Sequence, residues 1–129
     1  MPTGEFPSVS EAVSQETIND YADLSGDYNP IHADPDAAAK AGFDRPILHG
    51  LCTMGIATRA ILQTRSPGAP ERLKSMFVRF SKPVFPGETI ATEMYTLGEA
   101  IRFRCRAVER DVIVLDRGTA VLAPTGLAV

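Results

Sequence analysis

Cysteine is scarce in this chain. Cys52 and Cys105 are the only two, they lie far apart, and they form no CxxC pair. They read as two small apolar residues in a reducing compartment. No apolar run approaches the roughly 20 residues a helix needs to cross a bilayer. Met1-Pro2-Thr3-Gly4-Glu5-Phe6 has neither a basic start nor an apolar core, so no signal peptide is expected. Gly126-Leu127-Ala128-Val129 carries no peroxisomal tripeptide. The expectation is a cytoplasmic protein without membrane contact. Charge of one sign is also missing. The net charge is -3, with acids and bases spread along the chain, so there is no basic stripe for nucleic acid. GxGxxG, a Walker loop, a GxSxG elbow and HExxH are all absent, which removes the nucleotide fingerprints, the esterase nucleophile and the helical zinc site.

What is present fits one domain spanning 1–129. At 129 residues the chain should bury roughly two thirds of its unfolded surface and needs no staples. Apolar residues make up 44%, too many for a disordered chain. No repeat or low-complexity tract occurs. Ser66-Pro67-Gly68-Ala69-Pro70 is the one loop-like cluster long enough to be a connection, and it separates a helical first half from a strand-rich second half. That order predicts α+β rather than alternating α/β.

Three helices are predicted. Ser14 caps the first, through about Leu24, with Glu16 in its first turn and Gly26 past its end. Asp34 caps a short second one, with Pro35 at the first helical position and Gly42 after the end. The third runs from about Leu48 to Gln63 and carries no charge between His49 and Arg59. A helix apolar nearly all round is buried. Its glycines, Gly50 and Gly55, cost helix propensity, which points to close approach of a backbone or a ligand. Four long strands follow. Arg72 to Lys82 puts Met76, Val78 and Phe80 on one face, and Thr89 to Leu97 ends at a Gly98-Glu99 turn. Ile101, Phe103, Cys105 and Ala107 alternate with Arg102, Arg104 and Arg106, an arginine face toward water. Asp111 to Leu122 is apolar on both faces, so it belongs inside the sheet. A curved antiparallel sheet around the buried helix accommodates all of this.

The chemistry concentrates in Ser25-Gly26-Asp27-Tyr28-Asn29-Pro30-Ile31-His32-Ala33-Asp34, followed by Pro46-Ile47-Leu48-His49-Gly50-Leu51. Pro30 fixes its own φ and pushes Asn29 to an extended conformation, so Asp27 and His32 can be brought onto one water. The plainer alternative is that Asp27 caps the turn and His32 packs. Gly50 weighs against it. In the first turn of the third helix, backbone N–H groups lack partners and the dipole adds about +0.5 charge, so such an N–H can hold a thioester oxygen as it becomes negative. His49 at the helix start reads as a hydrogen-bonded structural residue. A metal set of His32, Asp34, Asp27 and His49 is the other chemical reading, but no spacing supports it, and no metal is expected. Cys52 sits among apolar residues that raise a thiol pKa and is discounted as a nucleophile.

SGDYNPIHADPDAAAKAGFDRPILHGLCTMGIATRAIL resembles the MaoC-like dehydratases, and within them the hydratase 2, or (R)-specific enoyl-CoA hydratase, enzymes. The likeness continues through Arg79-Phe80-Ser81-Lys82-Pro83-Val84-Phe85-Pro86-Gly87-Glu88 and to Leu122-Ala123-Pro124-Thr125-Gly126. The resemblance implies a hot-dog fold, a curved sheet around one long helix. It implies reversible hydration of a trans-2-enoyl thioester to the (R)-3-hydroxyacyl thioester, with Asp27 and His32 as the catalytic dyad and Gly50 N–H on the thioester oxygen. Thr58 matches a small hydroxyl-bearing position near the dyad, Asn29 the motif's loop-shaping amide, and His49 a further substrate-side residue. Coenzyme A enters as part of the substrate and no separate cofactor is implied. Arg79 and Lys82 are candidates for the CoA phosphates. The eukaryotic hydratase 2 enzymes carry two hot-dog repeats with the motif on the second. This chain has one, so it must dimerise, as a homodimer, or accept a partner chain. The alternatives are a 3-hydroxyacyl dehydratase acting on acyl-carrier protein, a thioesterase (which would lack the Asp-Asn-Pro-His loop) and a non-catalytic acyl-CoA-binding module.

Overall fold

The structure, a computed structural model, describes residues 8–124. The readings made on Met1–Phe6 and on Gly126–Val129 lie outside the described residues.

Local chemistry sets the helices where expected. The Ser14 side chain accepts from Thr17 N–H at 3.1 Å and starts α1, Gln15–Ser25. Gly26 ends it at φ 76°, a left-handed conformation that strongly favours glycine. The Asp34 side chain accepts from Asp36 N–H at 2.9 Å and starts α2, Pro35–Lys40. The long helix α3 spans Gly50–Arg65 with His49 as its N-cap, two residues later at each end than expected. Thr53, Ile56, Ala57, Ala60 and Ile61, at three- and four-residue spacing, form its buried face.

Among the described residues five strands, not four, make one antiparallel sheet in the order β1-β3-β4-β5-β2. They are β1 (Ser8–Ala12), β2 (Leu73–Phe80), β3 (Thr89–Leu97), β4 (Ala100–Ala107) and β5 (Val112–Leu122). β5 lies inside the sheet, as its two apolar faces require. β1, which the sequence reading missed, is the edge beyond β3, and β2 is the other edge. β5 bulges at Asp116–Arg117, where Arg117 takes φ 52°; such a bulge bends a strand and increases its twist. Next to it, Gly118 leaves room for Phe103: a Cβ there would stand 2.6 Å from the buried ring.

The core lies between α3 and the concave side of the sheet. Ile56, Ala57 and Ile61 meet Ile90, Met94, Ile101, Phe103, Val114 and Leu115, each large side chain contributing about 1.5–3 kcal/mol by burial. Three expectations about exposure are corrected. Leu51 is 68% exposed and Gly55 is exposed with no described atom near its missing Cβ, so α3 is not covered all round. Phe80 is 52% exposed rather than packed beside Met76 and Val78, because β2 is an edge with register shifts. The arginines of β4 are half-buried, two of them in ion pairs: Arg104 and Arg106 both reach Glu93, and Arg106 also reaches Asp111.

Candidate active site

Short polar side chains wind the loop between α1 and α2. Ser25 Oγ accepts from Asp27 N–H at 3.1 Å, Asp27 Oδ1 from Asn29 N–H at 3.1 Å, and Asn29 Oδ1 from Ile31 N–H at 3.2 Å. Each side chain thus satisfies the backbone two residues on. Pro30 then opens a 3₁₀ turn, Pro30–His32. From the other side, Gln15 Nε2 donates to the His32 carbonyl at 3.0 Å and Ile47 N–H to the Ile31 carbonyl at 3.1 Å.

This scaffold fixes the dyad. His32 is buried, and its Nδ1 lies 2.7 Å from the Ile47 carbonyl. A carbonyl only accepts, so a proton sits on Nδ1, and in the neutral ring Nε2 then presents a bare lone pair. That lone pair faces Asp27 Oδ2 at 3.9 Å, with the Asp27 side chain half exposed. The gap is too long for a direct hydrogen bond and admits one water at about 2.8 Å from each group. His49, 2% exposed, lines the same cavity: its Nε2 donates to the Asp27 carbonyl at 3.0 Å, and its ring stacks on His32 at 3.7 Å. Gly50 is the first residue of α3, exposed, and its N–H has no partner among the described residues. The dyad and Gly50 line a cavity of about 390 Å³ that Leu51 and Phe80 help to wall. A second, mainly apolar cavity of about 270 Å³ shares Gly50 and Phe80 and runs between Ile47 and Leu48 on one side and Val84 and Val114 on the other.

The remaining candidates separate. Asn29 is exposed and caps the 3₁₀ turn, the loop-shaping part. Thr58 lies away from the dyad, its hydroxyl donating to the Met54 carbonyl at 2.8 Å, on a different turn of α3 from Gly50. Thr53, buried, lines the apolar cavity beside Gly50, while Ser25 and Tyr21 line the dyad's own cavity; Thr53 is the α3 residue of this type nearer the site. Sequence reasoning passed over it, although it sits three residues after Gly50, on the same helix face. Lys82 is exposed and lines that cavity; Arg79 is exposed on β2 opposite Asp116 and lines neither cavity. Asp27, His32 and His49 offer ligand atoms within 4.8 Å of one another, whereas Asp34 is spent on capping α2. To join a metal through Nε2, His49 would have to release the Asp27 carbonyl. Cys52 is half-buried and burial pushes its thiol pKa up, in keeping with its exclusion as a nucleophile.

Residues 4–117 match the sequence profile of the MaoC like domain. The chain belongs to the MaoC-like family. It is 50% identical over 92 residues to a protein of Arabidopsis thaliana named enoyl-CoA hydratase 2, peroxisomal, a match covering 71% of this chain and 30% of that protein. Among solved structures, a MaoC-like dehydratase from Phytophthora capsici superimposes with a TM-score of 0.91 at 39% identity, over 98% of this chain and 45% of that one. An (R)-hydratase from A. caviae involved in PHA biosynthesis gives 0.74 at 26% identity, over 96% of this chain and 98% of that one. The chain spans less than half the length of the first curated relatives it matches. The MaoC-like family and the hot-dog arrangement, a sheet curved around α3, are those the motif implied. No helix among the described residues is long and apolar enough to cross a membrane.

Proposed function

We propose that this chain is an (R)-specific enoyl-CoA hydratase module, adding water reversibly to trans-2-enoyl-CoA to give (R)-3-hydroxyacyl-CoA. The observation that carries this reading is the bare His32 Nε2 facing the Asp27 carboxylate across 3.9 Å. One water occupies that gap. Its oxygen forms a bond to C3 as the C2=C3 π bond breaks, the dyad takes one of its protons, and a proton is delivered to C2 on the same face. Negative charge collects on the thioester oxygen meanwhile, and the free Gly50 N–H at the positive end of α3 stabilises it. The acyl chain is assigned to the apolar cavity that shares Gly50 and Phe80 with the dyad's, and Lys82, exposed on its lining, suits a phosphate better than Arg79 does. The name of the Arabidopsis relative supports the same reaction.

Crotonyl-CoA and a long enoyl-CoA test it, with loss of the enoyl absorbance and chiral analysis of the product. Decay to the (R) alcohol is expected. No decay with either substrate, or the (S) product, overturns the reading; faster turnover of the carrier-protein thioester reassigns the carrier.

We also infer a homodimer. Phe77 and Phe80 on the β2 edge are 63% and 52% exposed, and Leu51 is exposed beside the site; a bare apolar edge favours pairing. Light scattering should find about twice the 13.9 kDa chain mass, and a fully active species at the chain mass would refute it. The cytoplasmic placement stands beside relatives named for the peroxisome, and fractionation against a peroxisomal marker decides between the two.

A further inference from the structure

His49 was read both as a hydrogen-bonded structural residue and as a substrate-side one; it lines the dyad's cavity but is 2% exposed, with its ring stacked on His32. We propose that His49 is a positioning residue that sets the gap between Asp27 and His32: its Nε2–H anchors the Asp27 carbonyl while its ring face seats the His32 imidazole. The role rests on the hydratase reading of the dyad.

Four observations carry it. The Asp27 carbonyl is 3.0 Å from His49 Nε2, and a carbonyl only accepts, so the ring is held as the Nε2–H tautomer. The two imidazoles are nearly parallel, 20° apart with centroids at 3.7 Å, so His32 is seated flat on His49 while its Nδ1–H is pinned by Ile47. On the other side, the Tyr21 ring lies 4.8 Å from His49 and limits its movement. Finally, His49 Nδ1 is buried without any partner among the described residues. A bare, unpaired nitrogen in the interior opposes stability, and a phenyl ring would fill the same space without it. The imidazole is therefore explained by its other nitrogen, the one bonded to Asp27. As the residue before Gly50, His49 also ties the dyad to the oxyanion donor at the start of α3. Both imidazoles have Nε2 at 3.9 Å from Asp27 Oδ2, but the Nε2–H of His49 is already given to the Asp27 carbonyl while the Nε2 of His32 is uncommitted, so His49 acts through Asp27 and His32 rather than on the reacting atoms.

Two variants separate its parts. His49→Phe keeps the stacked ring and loses the anchor; His49→Gln keeps a donor of similar reach and loses the ring. The account predicts that His49→Phe lowers kcat by about tenfold to a hundredfold, as a misplacement near 1 Å does. KM should stay within about threefold, because substrate binding is not what is lost. His49→Gln, which keeps the anchor and loses the seat, should lose clearly less kcat than His49→Phe. Equal loss in both variants, or a folded His49→Phe protein within about twofold of wild-type kcat, overturns the proposal. Crystal structures of His49→Phe and wild type give a readout that does not depend on turnover. The His32 Nε2 to Asp27 Oδ2 separation should widen from 3.9 Å in the variant, and an unchanged separation overturns the positioning role. If wild type turns over no enoyl-CoA, the hydratase reading fails while this structural comparison still decides whether His49 sets the gap.

Discussion

Glu88 and Asp27 both face nitrogen-bearing side chains, and they are held in opposite ways. Glu88 is 3% exposed and saturated. Arg110 grips it through Nε at 2.5 Å and Nη2 at 3.0 Å, and Phe85 N–H donates to it at 2.7 Å. Arg110 also holds the Pro83 carbonyl at 2.7 Å and lies over the Phe85 ring at 4.7 Å, so the pair pins the turn from Pro83 to Gly87 against β3. Asp27 is half exposed, and its Oδ2 stands 3.9 Å from two imidazoles without a direct hydrogen bond to either. A carboxylate whose acceptor sites are filled holds a fold together. One that is rigidly placed but left a water's width from its partner can do chemistry.

The contrast predicts opposite consequences of substitution. At the open pair, His32→Ala should lower kcat by about 10²–10⁴-fold, the usual weight of one placed acid–base group, with the circular dichroism spectrum unchanged. A tenth or more of wild-type activity in the folded variant would remove His32 from the chemistry. Gly50→Pro comes next. Proline suits the first helical position, and His49 already has the extended backbone, φ −59° and ψ 134°, that precedes proline well. The substitution removes the N–H while keeping the helix start, and should cost about 10²–10³-fold in kcat, the weight of one oxyanion donor. Its Cβ would meet Phe80, an exposed ring at 3.1 Å that has room to shift. Near-normal turnover would show that Gly50 N–H does not hold the thioester oxygen.

At the closed pair the effect should fall on stability alone. Glu88→Ala should lower it by about 2–3 kcal/mol, less than the ~3–5 kcal/mol of a fully buried pair, because Arg110 keeps solvent on about a third of its side chain. Urea unfolding measures this, and kcat per folded molecule should not change. A large loss of kcat with unchanged stability would reverse the roles given to the two carboxylates. The smallest expected effect is that of chelation: dialysis against EDTA should leave activity intact. Activity that vanishes and returns only with an added metal ion would make Asp27, His32 and His49 a metal site instead.

The parts of this molecule written in local chemistry were legible in the sequence. Ser14 and Asp34 as caps, Gly26 and Gly42 beyond the helix ends, and the winding of the Asp27–His32 loop each depend on neighbours within a few residues. The alternation on β4 and the two apolar faces of β5 also read correctly, because burial on one or both sides writes a period into the strand. What failed to read depends on distant partners. Ser8–Ala12 has no strong strand signal of its own and is ordered by pairing with β3. Leu51 and Phe80 are apolar yet exposed, since nothing in the described chain covers them. Thr58 and Thr53 differ by five residues, enough to turn the hydroxyl of Thr58 to the Met54 carbonyl while Thr53 faces the cavity. The stack of His49 on His32 joins residues 17 apart that no spacing rule connects.

Asp27→Asn tests the dyad most directly. It keeps the shape of the side chain and leaves Oδ1 to accept from Asn29 N–H, so the loop should stay wound. Turnover of crotonyl-CoA is measured beside circular dichroism and thermal unfolding. The account predicts an unchanged spectrum and melting temperature with kcat lower by at least about 100-fold. A folded Asp27→Asn protein working at more than about a tenth of the wild-type rate would contradict it, because the loss of a placed acid–base group exceeds that.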